Sequence, residues 1–166
     1  MDMKEVKVMD KLENQSLYDE ENGMIFGTLT TGTDLMEGII REYEKYNVTS
    51  GIVTCIGSVS EATFVNPEVD PNGKVIYSDP IIVKGPLEVL NGTGFLCVNE
   101  EAKTDCHMHA SYVNTQGIVS GGHIVSGKNP VLVMIEFAIQ VGKGIRAVRE
   151  FKPELGFQTI QFRRGE

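Results

Sequence analysis

The part of the chain that most constrains the fold is a stretch that holds all three of its histidines within seventeen residues. Asn114-Thr115-Gln116-Gly117, near the centre of this stretch, has the composition of a hairpin turn. Runs of strand-like composition flank it, and side chains two residues apart in a strand point to the same face. The stretch therefore predicts a β-hairpin with strands over residues 104–113 and 117–126, in which His107 and His109 share one face.

The length of the turn decides the register of this hairpin. A three-residue loop over 115–117, closed by Gly117 in the left-handed conformation, places His109 directly opposite His123. A two-residue loop would instead place His123 opposite Met108, and its side chain would point to the other face. We predict the three-residue loop because it brings all three imidazoles together.

Three imidazoles on one face are a candidate metal site. Directly opposed Cβ atoms in a sheet are ~4.5–5.5 Å apart and diagonal ones roughly 7–8 Å, which suits three rings meeting at one ion. Three histidines with an open fourth position are typical of catalytic zinc sites, although nickel, iron and copper also accept imidazole. We predict that His107, His109 and His123 bind Zn²⁺. The alternative is three hydrogen-bonded histidines on a half-polar sheet face.

Polar side chains near the histidines each have two interpretations. Asp105 shares the face of His107 and is either a partner of a ligating histidine or a solvated carboxylate at the strand end. Ser111 either lines the same cavity or is an ordinary strand serine. Cys106 points to the opposite face under strict alternation, so it is not expected to be a ligand.

Two glutamates and a glycine pair are further candidates. Glu88 is either a general base or ligand partner at the metal, or an outward-facing strand residue. Glu136 has the same two interpretations, and the solvent-facing one is favoured. Gly121-Gly122 either lets the backbone approach a ligand or permits a bulge or tight subunit packing, which is favoured.

Charge and cysteine content limit the classes of partner and compartment. The net charge is −8, with −11 over residues 1–140 and +3 over residues 141–166, so the body of the chain disfavours contact with DNA phosphates. The three cysteines are an odd set without CxxC spacing, which indicates a reduced, cytoplasmic protein. No apolar run approaches the ~20 residues of a membrane span, and residues 1–11 lack the apolar segment of a secretory signal.

The remaining sequence predicts one domain over residues 1–166. Apolar residues from Leu35 to Tyr43 recur at helical spacing, with Thr33 as the predicted N-cap and an end near Asn47. Residues 66–73 are predicted to form a loop. The other segments predict strands, over residues 24–30, 51–56, 60–65, 75–83, 87–90, 95–98 and 131–141. The predicted class is α+β, a largely antiparallel sheet with one prominent amphipathic helix packed on it.

The order of several short motifs resembles the plants-and-prokaryotes-conserved (PPC) domain. The resemblance covers roughly residues 18–160, after an N-terminal arm over residues 1–17. The succession is far more specific than any one motif. Its pieces are Gly32-Thr33-Asp34-Leu35, Ser50-Gly51-Ile52, Ile56-Gly57-Ser58-Val59-Ser60, Gly85-Pro86-Leu87-Glu88-Val89-Leu90, His107-Met108-His109-Ala110-Ser111 and Gly121-Gly122-His123-Ile124.

This resemblance implies a compact α+β domain that assembles as a homotrimer. Plant members carry AT-hook DNA-binding motifs, and bacterial single-domain members are often described as candidate DNA-binding proteins. The fold is also similar to that of acetolactate decarboxylase, a zinc enzyme whose His-x-His and further His would correspond to His107, His109 and His123.

Two features of the chain depart from the plant members. Arg163-Arg164-Gly165-Glu166 is not an AT-hook, and Pro86 stands where plant members commonly carry arginine. Two function classes therefore remain open. One is a regulatory or nucleic-acid-associated module that acts through trimer assembly. The other is a metal-dependent lyase or hydrolase acting on a small carbonyl or keto-acid substrate, for which no pocket arginine can be assigned from the sequence.

Overall fold

The computed structural model describes residues 12–165, so most of the predicted N-terminal arm lies outside the described residues. It contains one helix, α1 (Leu35–Glu44), which is too short to cross a membrane. The strands are β1 (Gln15–Asp19), β2 (Met24–Thr30), β3 (Gly51–Val65), β4 (Pro67–Val69), β5 (Val75–Tyr77), β6 (Ile81–Asn99), β7 (Thr104–Asn114), β8 (Val119–Ile124), β9 (Val131–Val141), β10 (Ile145–Lys152) and β11 (Phe157–Arg164).

Nine of these strands form one sheet, in the order β1-β2-β9-β3-β8-β7-β6-β10-β11, while β4 and β5 form a separate hairpin. β3 also pairs with β6, so β3, β8, β7 and β6 close into a ring. β10 runs parallel to β6, which makes the sheet mixed. The predicted α+β class holds in broad terms, but the sheet is not purely antiparallel and the helix has only ten residues.

Helix α1 begins one residue later than predicted because Asp34, not Thr33, is its N-cap. The Asp34 side chain accepts hydrogen bonds from the backbone N–H groups of Met36 and Glu37. Its second oxygen accepts the N–H of Asn129, a contact between distant parts of the chain. Tertiary structure therefore selects between two adjacent residues that are both suited to capping.

Strands β3 and β6 are longer than predicted, because bulges and close packing accommodate glycine and proline residues that usually end a strand. The register of β3 against β6 shifts near Gly57 and again near Ser60, so one bent strand replaces two predicted ones. Gly92 and Gly94 lie inside β6, where an added Cβ would come within 2.5 Å of the Cys55 sulfur and 2.7 Å of the His107 carbonyl. They permit close strand approach inside one continuous strand, where the sequence predicts two strands, over residues 87–90 and 95–98.

The two faces of the sheet differ in their surroundings. One face packs against α1 and forms the core, with Ile25, Leu29, Val53, Met108 and Ile139 fully buried. Each such side chain contributes about 1.5–3 kcal/mol through burial. The opposite face carries a row of directly paired residues across seven strands, namely Leu17, Phe26, Ala138, Thr54, Thr93, His109 and His123. The histidines therefore lie on the face away from the helix.

Candidate metal centre

The hairpin that carries the histidines has the predicted register. The N–H of Gly117 donates to the Asn114 carbonyl at 2.9 Å, and the Asn114 N–H donates to the Ile118 carbonyl at 3.1 Å. Gly117 has a φ of +78°, the left-handed conformation that closes a three-residue loop with a bulge. His109 is consequently paired with His123 across the two strands.

The three imidazoles converge to within metal-binding distance of one another. One ligand nitrogen from each of His107, His109 and His123 lies within 4.8 Å of the others. The Nε2 atoms of His107 and His109 are 3.2 Å apart. Zinc–nitrogen bonds of about 2.0–2.1 Å in a tetrahedral arrangement separate the nitrogens by roughly 3.3 Å. One pair already has this spacing, and small side-chain rotations would bring the third ring to it.

Burial keeps the imidazoles of His107 and His123 in the form that binds metal. Burial, the nearby His107 and the Arg149 guanidinium together lower the pKa of His123 to about 4, with burial as the largest cause. Burial, followed by the charge of Arg149, also lowers the pKa of His107. Neutral imidazole is the ligand form, so at neutral pH both rings can bind an ion without losing a proton.

One ring of the cluster has an unsatisfied buried nitrogen. His123 Nδ1 is buried and has no hydrogen-bond partner among residues 12–165. Such an orphaned atom is unfavourable, and coordination through Nδ1 would satisfy it. The ring also stacks on Tyr77 of β5, with centroids 5.3 Å apart and planes at 23°. His109 is exposed, so the cluster is open to solvent on one side.

A partly buried ion pair lies beside the histidines. The Asp105 carboxylate accepts a hydrogen bond from Arg149 Nη1 at 3.2 Å and another from the Cys106 N–H at 2.8 Å. Asp105 thus links β10 to the histidine strand, and its hydrogen-bond partners are not histidines. The side chains of Arg149 and Asp105 are 14% and 26% exposed, which makes this pair more enclosed than an ordinary surface salt bridge.

The structure places one of the remaining candidates, Ser111, near the cluster and the others away from it. Cys106 is buried in the core, as predicted, and burial raises the pKa of its thiol. Ser111 lies opposite Gly121, next to the paired histidines. Glu136 is exposed. Glu88 is exposed and lies opposite Val113, four residues along β7 from His109.

The two adjacent glycines pack strand against strand within the chain. A Cβ on Gly121 would lie 2.1 Å from the Ala110 carbonyl of β7. A Cβ on Gly122 would lie 2.2 Å from the Asn66 side chain and 2.8 Å from the Val65 carbonyl. Both sets of contacts are with neighbouring segments of the same chain, so close packing within the subunit accounts for both residues.

Sequence reasoning missed two residues of the site, Arg149 and Tyr77. Arg149 reaches the histidines because β10 pairs with β6, a contact between distant segments that no local pattern reveals. Tyr77 lies on the β4–β5 hairpin, where the sequence predicts a loop over residues 66–73 and one strand over residues 75–83. The only sequence signal for Tyr77 was an aromatic residue in an apolar run, which usually indicates core packing.

Three solved structures share this fold across most of their length. A candidate DNA-binding protein from Bacteroides thetaiotaomicron is 18% identical, with a TM-score of 0.75 over 92% of this chain and all of that chain. A candidate DNA-binding protein from Ralstonia eutropha is 22% identical, with a TM-score of 0.72 over 88% of this chain and 94% of that chain. A metal-containing protein from Archaeoglobus fulgidus is 22% identical, with a TM-score of 0.71 over 92% of this chain and 99% of that chain. Comparison with curated proteins gave no match.

The sequence itself matches a family model. The model of the Plants and Prokaryotes Conserved (PCC) domain, the PPC domain of the motif resemblance, covers residues 18–142. The matched range contains the helix, the histidine hairpin and every strand from β2 to β9. Because this range is about three quarters of the chain, the protein belongs to the Plants and Prokaryotes Conserved domain family.

Proposed function

We propose that the protein binds a divalent transition metal ion, with Zn²⁺ as the first candidate, through His107, His109 and His123. The observation that supports this most directly is the convergence of the three ligand nitrogens within 4.8 Å of one another. Neutral imidazoles suit zinc, and the same ligands accept nickel, iron or copper. The similar fold of a metal-containing archaeal protein adds support.

Metal analysis of the purified protein tests this proposal. We expect about one transition-metal ion per chain after purification without metal-affinity resin. Chelator-treated protein should regain one Zn²⁺ and should not retain Mg²⁺, because magnesium prefers oxygen ligands. Chelator-treated protein that fails to take up zinc, nickel, iron or copper would rule out the site.

An open fourth position would let the ion take part in chemistry. When bound, such an ion polarises a water molecule or a substrate carbonyl, which is the basis of a metal-dependent lyase or hydrolase. We propose this enzyme class as the alternative to a purely regulatory role. Glu88 lies ~13 Å along the strand direction from His109, at about 3.3 Å per residue. Its proposed role as general base therefore applies only to a ligand that extends along this face.

The exposed sheet face supports the proposal that the chain forms a homotrimer. Leu17, Phe26 and Ile56 are 80%, 56% and 57% exposed on the face that carries the histidines. Contiguous exposed apolar side chains of this kind mark interaction surfaces. Subunits packed on this face would also enclose the open side of the histidine cluster.

Light scattering should give a mass three times that of the 18.3 kDa chain. We expect Phe26→Glu to lower this mass towards that of the monomer, because it places a charge in the apolar interface. Val69→Glu is the matched control, since Val69 is 70% exposed but lies on the separate β4–β5 hairpin. A monomeric wild-type protein would contradict the trimer.

DNA binding is a second candidate function, supported by the names of two similar structures and by one basic surface. Arg146, Arg163 and Arg164 line a cavity of about 790 Å³ between the β6–β7 turn and the β10–β11 hairpin. Arg163 already pairs with Glu150 in the same cavity, so Arg146 and Arg164 are the arginines proposed to contact phosphate. With a net charge of −8, we expect only weak, non-specific binding that salt abolishes.

Fluorescence anisotropy with labelled duplex DNA at increasing salt measures this binding. The combined Arg146→Gln/Arg164→Gln variant should bind more weakly still, while Arg41→Gln, on the exposed face of α1, should match the wild type. A salt-resistant, sequence-selective interaction at physiological ionic strength would overturn the expectation.

We also propose a reduced, cytoplasmic environment for the protein. Cys55, Cys97 and Cys106 are buried and free. Burial raises the pKa of Cys55 and Cys97 to about 12, so these thiols stay protonated and unreactive.

A further inference from the structure

The guanidinium of Arg149 is enclosed beside the histidines with most of its donors unused. Nη1 donates to Asp105, whereas Nε is buried and has no partner among residues 12–165. An arginine carries five N–H donors in a planar fork and cannot lose its proton in a protein. The edge formed by Nε and Nη2 thus lacks an acceptor within the described part of the chain.

Arg149 also lines a cavity that reaches one of the three histidines, His123. A cavity of about 310 Å³ is bounded by Arg149, Asp105, His123 and Tyr77, together with Ser126. A second cavity, of about 490 Å³, is bounded by Arg149, Tyr77 and Phe157. Arg149 and Tyr77 are common to both, so they stand between the two spaces. The smaller cavity is at the lower limit of the volumes typical of small-molecule sites.

The chemistry of these walls indicates the class of ligand. The free edge of a guanidinium matches the two oxygens of a carboxylate, which it binds with two parallel hydrogen bonds. The aromatic ring of Tyr77, stacked on His123, provides an apolar wall for a short carbon skeleton. Asp105 is already held by the Cys106 N–H and by Nη1, so it fixes the orientation of the guanidinium without occupying its free edge.

We propose that this cavity binds a small carboxylate with a second oxygen function close to it, of the 2-oxo acid class. Its carboxylate binds the Arg149 guanidinium from the side of the cavity, and its second oxygen points towards His123. This proposal rests on the proposed metal site, since the ion supplies the partner for that second oxygen. It assigns Arg149 as the residue that selects the charge of the ligand.

Titration of zinc-loaded, full-length protein with pyruvate tests the proposal by calorimetry. We expect Arg149→Lys to weaken pyruvate binding about 10-fold or more, because lysine keeps the positive charge near Asp105 but lacks the planar fork. Arg41→Lys is the matched control, since Arg41 is an exposed arginine on α1 with a 56% exposed side chain. Methyl pyruvate, which lacks the charged carboxylate, should bind the wild type as weakly as pyruvate binds Arg149→Lys.

Zinc content, measured in every sample, separates failure of this proposal from failure of the metal site. Zinc-loaded wild type that binds no pyruvate, or binds it equally well in Arg149→Lys, would overturn the ligand assignment and leave the metal site standing. Binding of inorganic phosphate in place of pyruvate would overturn the carboxylate class. Wild-type protein that cannot be loaded with zinc would contradict both the metal site and the carboxylate ligand that depends on it. The thermal midpoint of Arg149→Lys should stay close to that of the wild type, which shows that the variant is folded.

Discussion

Replacing His107 and His109 together by alanine is expected to abolish metal binding. The variant retains only His123, and a single imidazole cannot hold an ion against buffer and chelator. We expect affinity for zinc to fall by far more than 100-fold, because loss of even a residue that only supports a ligand costs about 10–100-fold. Elemental analysis after dialysis, followed by competition with a chromogenic chelator, measures the loss.

The matched control for this variant is Thr93→Ala. Thr93 lies directly opposite His109 on the same sheet face but offers no imidazole. It should keep the metal content of the wild type. His109 is exposed and His107 is only partly buried, so the double variant should fold. Equal metal content in the double variant and the wild type would end the three-histidine assignment.

The histidine hairpin was predictable because its determinants are local. Period-two alternation fixes which side chains share a face, and the Gly117 turn fixes the register. The pairing of His109 with His123 follows from these two features alone, without knowledge of any other strand. The Met24–Thr30 and Val131–Val141 strands were predictable for the same reason, since each is a short apolar run bounded by turn residues.

The long strands β3 and β6 could not be predicted as single elements. Gly57, Gly85 and Pro86 resemble chain breaks when only neighbouring residues are considered. In the folded chain, register shifts between the two strands take up these residues, and a Cβ on Gly85 would lie 2.6 Å from the Ser60 carbonyl. The need for glycine arises from the partner strand, which the local sequence does not contain.

The charged part of the site was unpredictable for a related reason. Asp105 could be placed on the histidine face, but its partner comes from β10, 44 residues further along the chain. The parallel pairing of β10 with β6 brings Arg149 to that position. The sequence shows that the C-terminal segment is basic, but no local pattern indicates that its Arg149 lies beside His123.

Gly121→Ala is expected to have the largest effect on stability of any single methyl addition near the site. The new Cβ would lie 2.1 Å from the Ala110 carbonyl and 2.9 Å from the Ser111 Cα. Both are backbone atoms of β7, so the strands themselves must separate. We expect the free energy of unfolding to fall by about 3 kcal/mol, the upper end of the range typical of overpacked sites, because backbone atoms must move. Urea unfolding of chelator-treated protein measures this change.

The same substitution should weaken zinc binding, because Gly121 lies two residues from His123 and its displacement changes the spacing of the paired histidines. Gly117→Asn is the matched control in the same hairpin. Gly117 has a φ of +78° with no atom within 4 Å of an added Cβ, and asparagine tolerates this conformation. It should cost less than about 1 kcal/mol and leave zinc affinity unchanged. A Gly121→Ala protein as stable as the wild type would show that β7 and β8 do not pack as closely as their register requires. That result would also contradict the geometry of the metal centre described above.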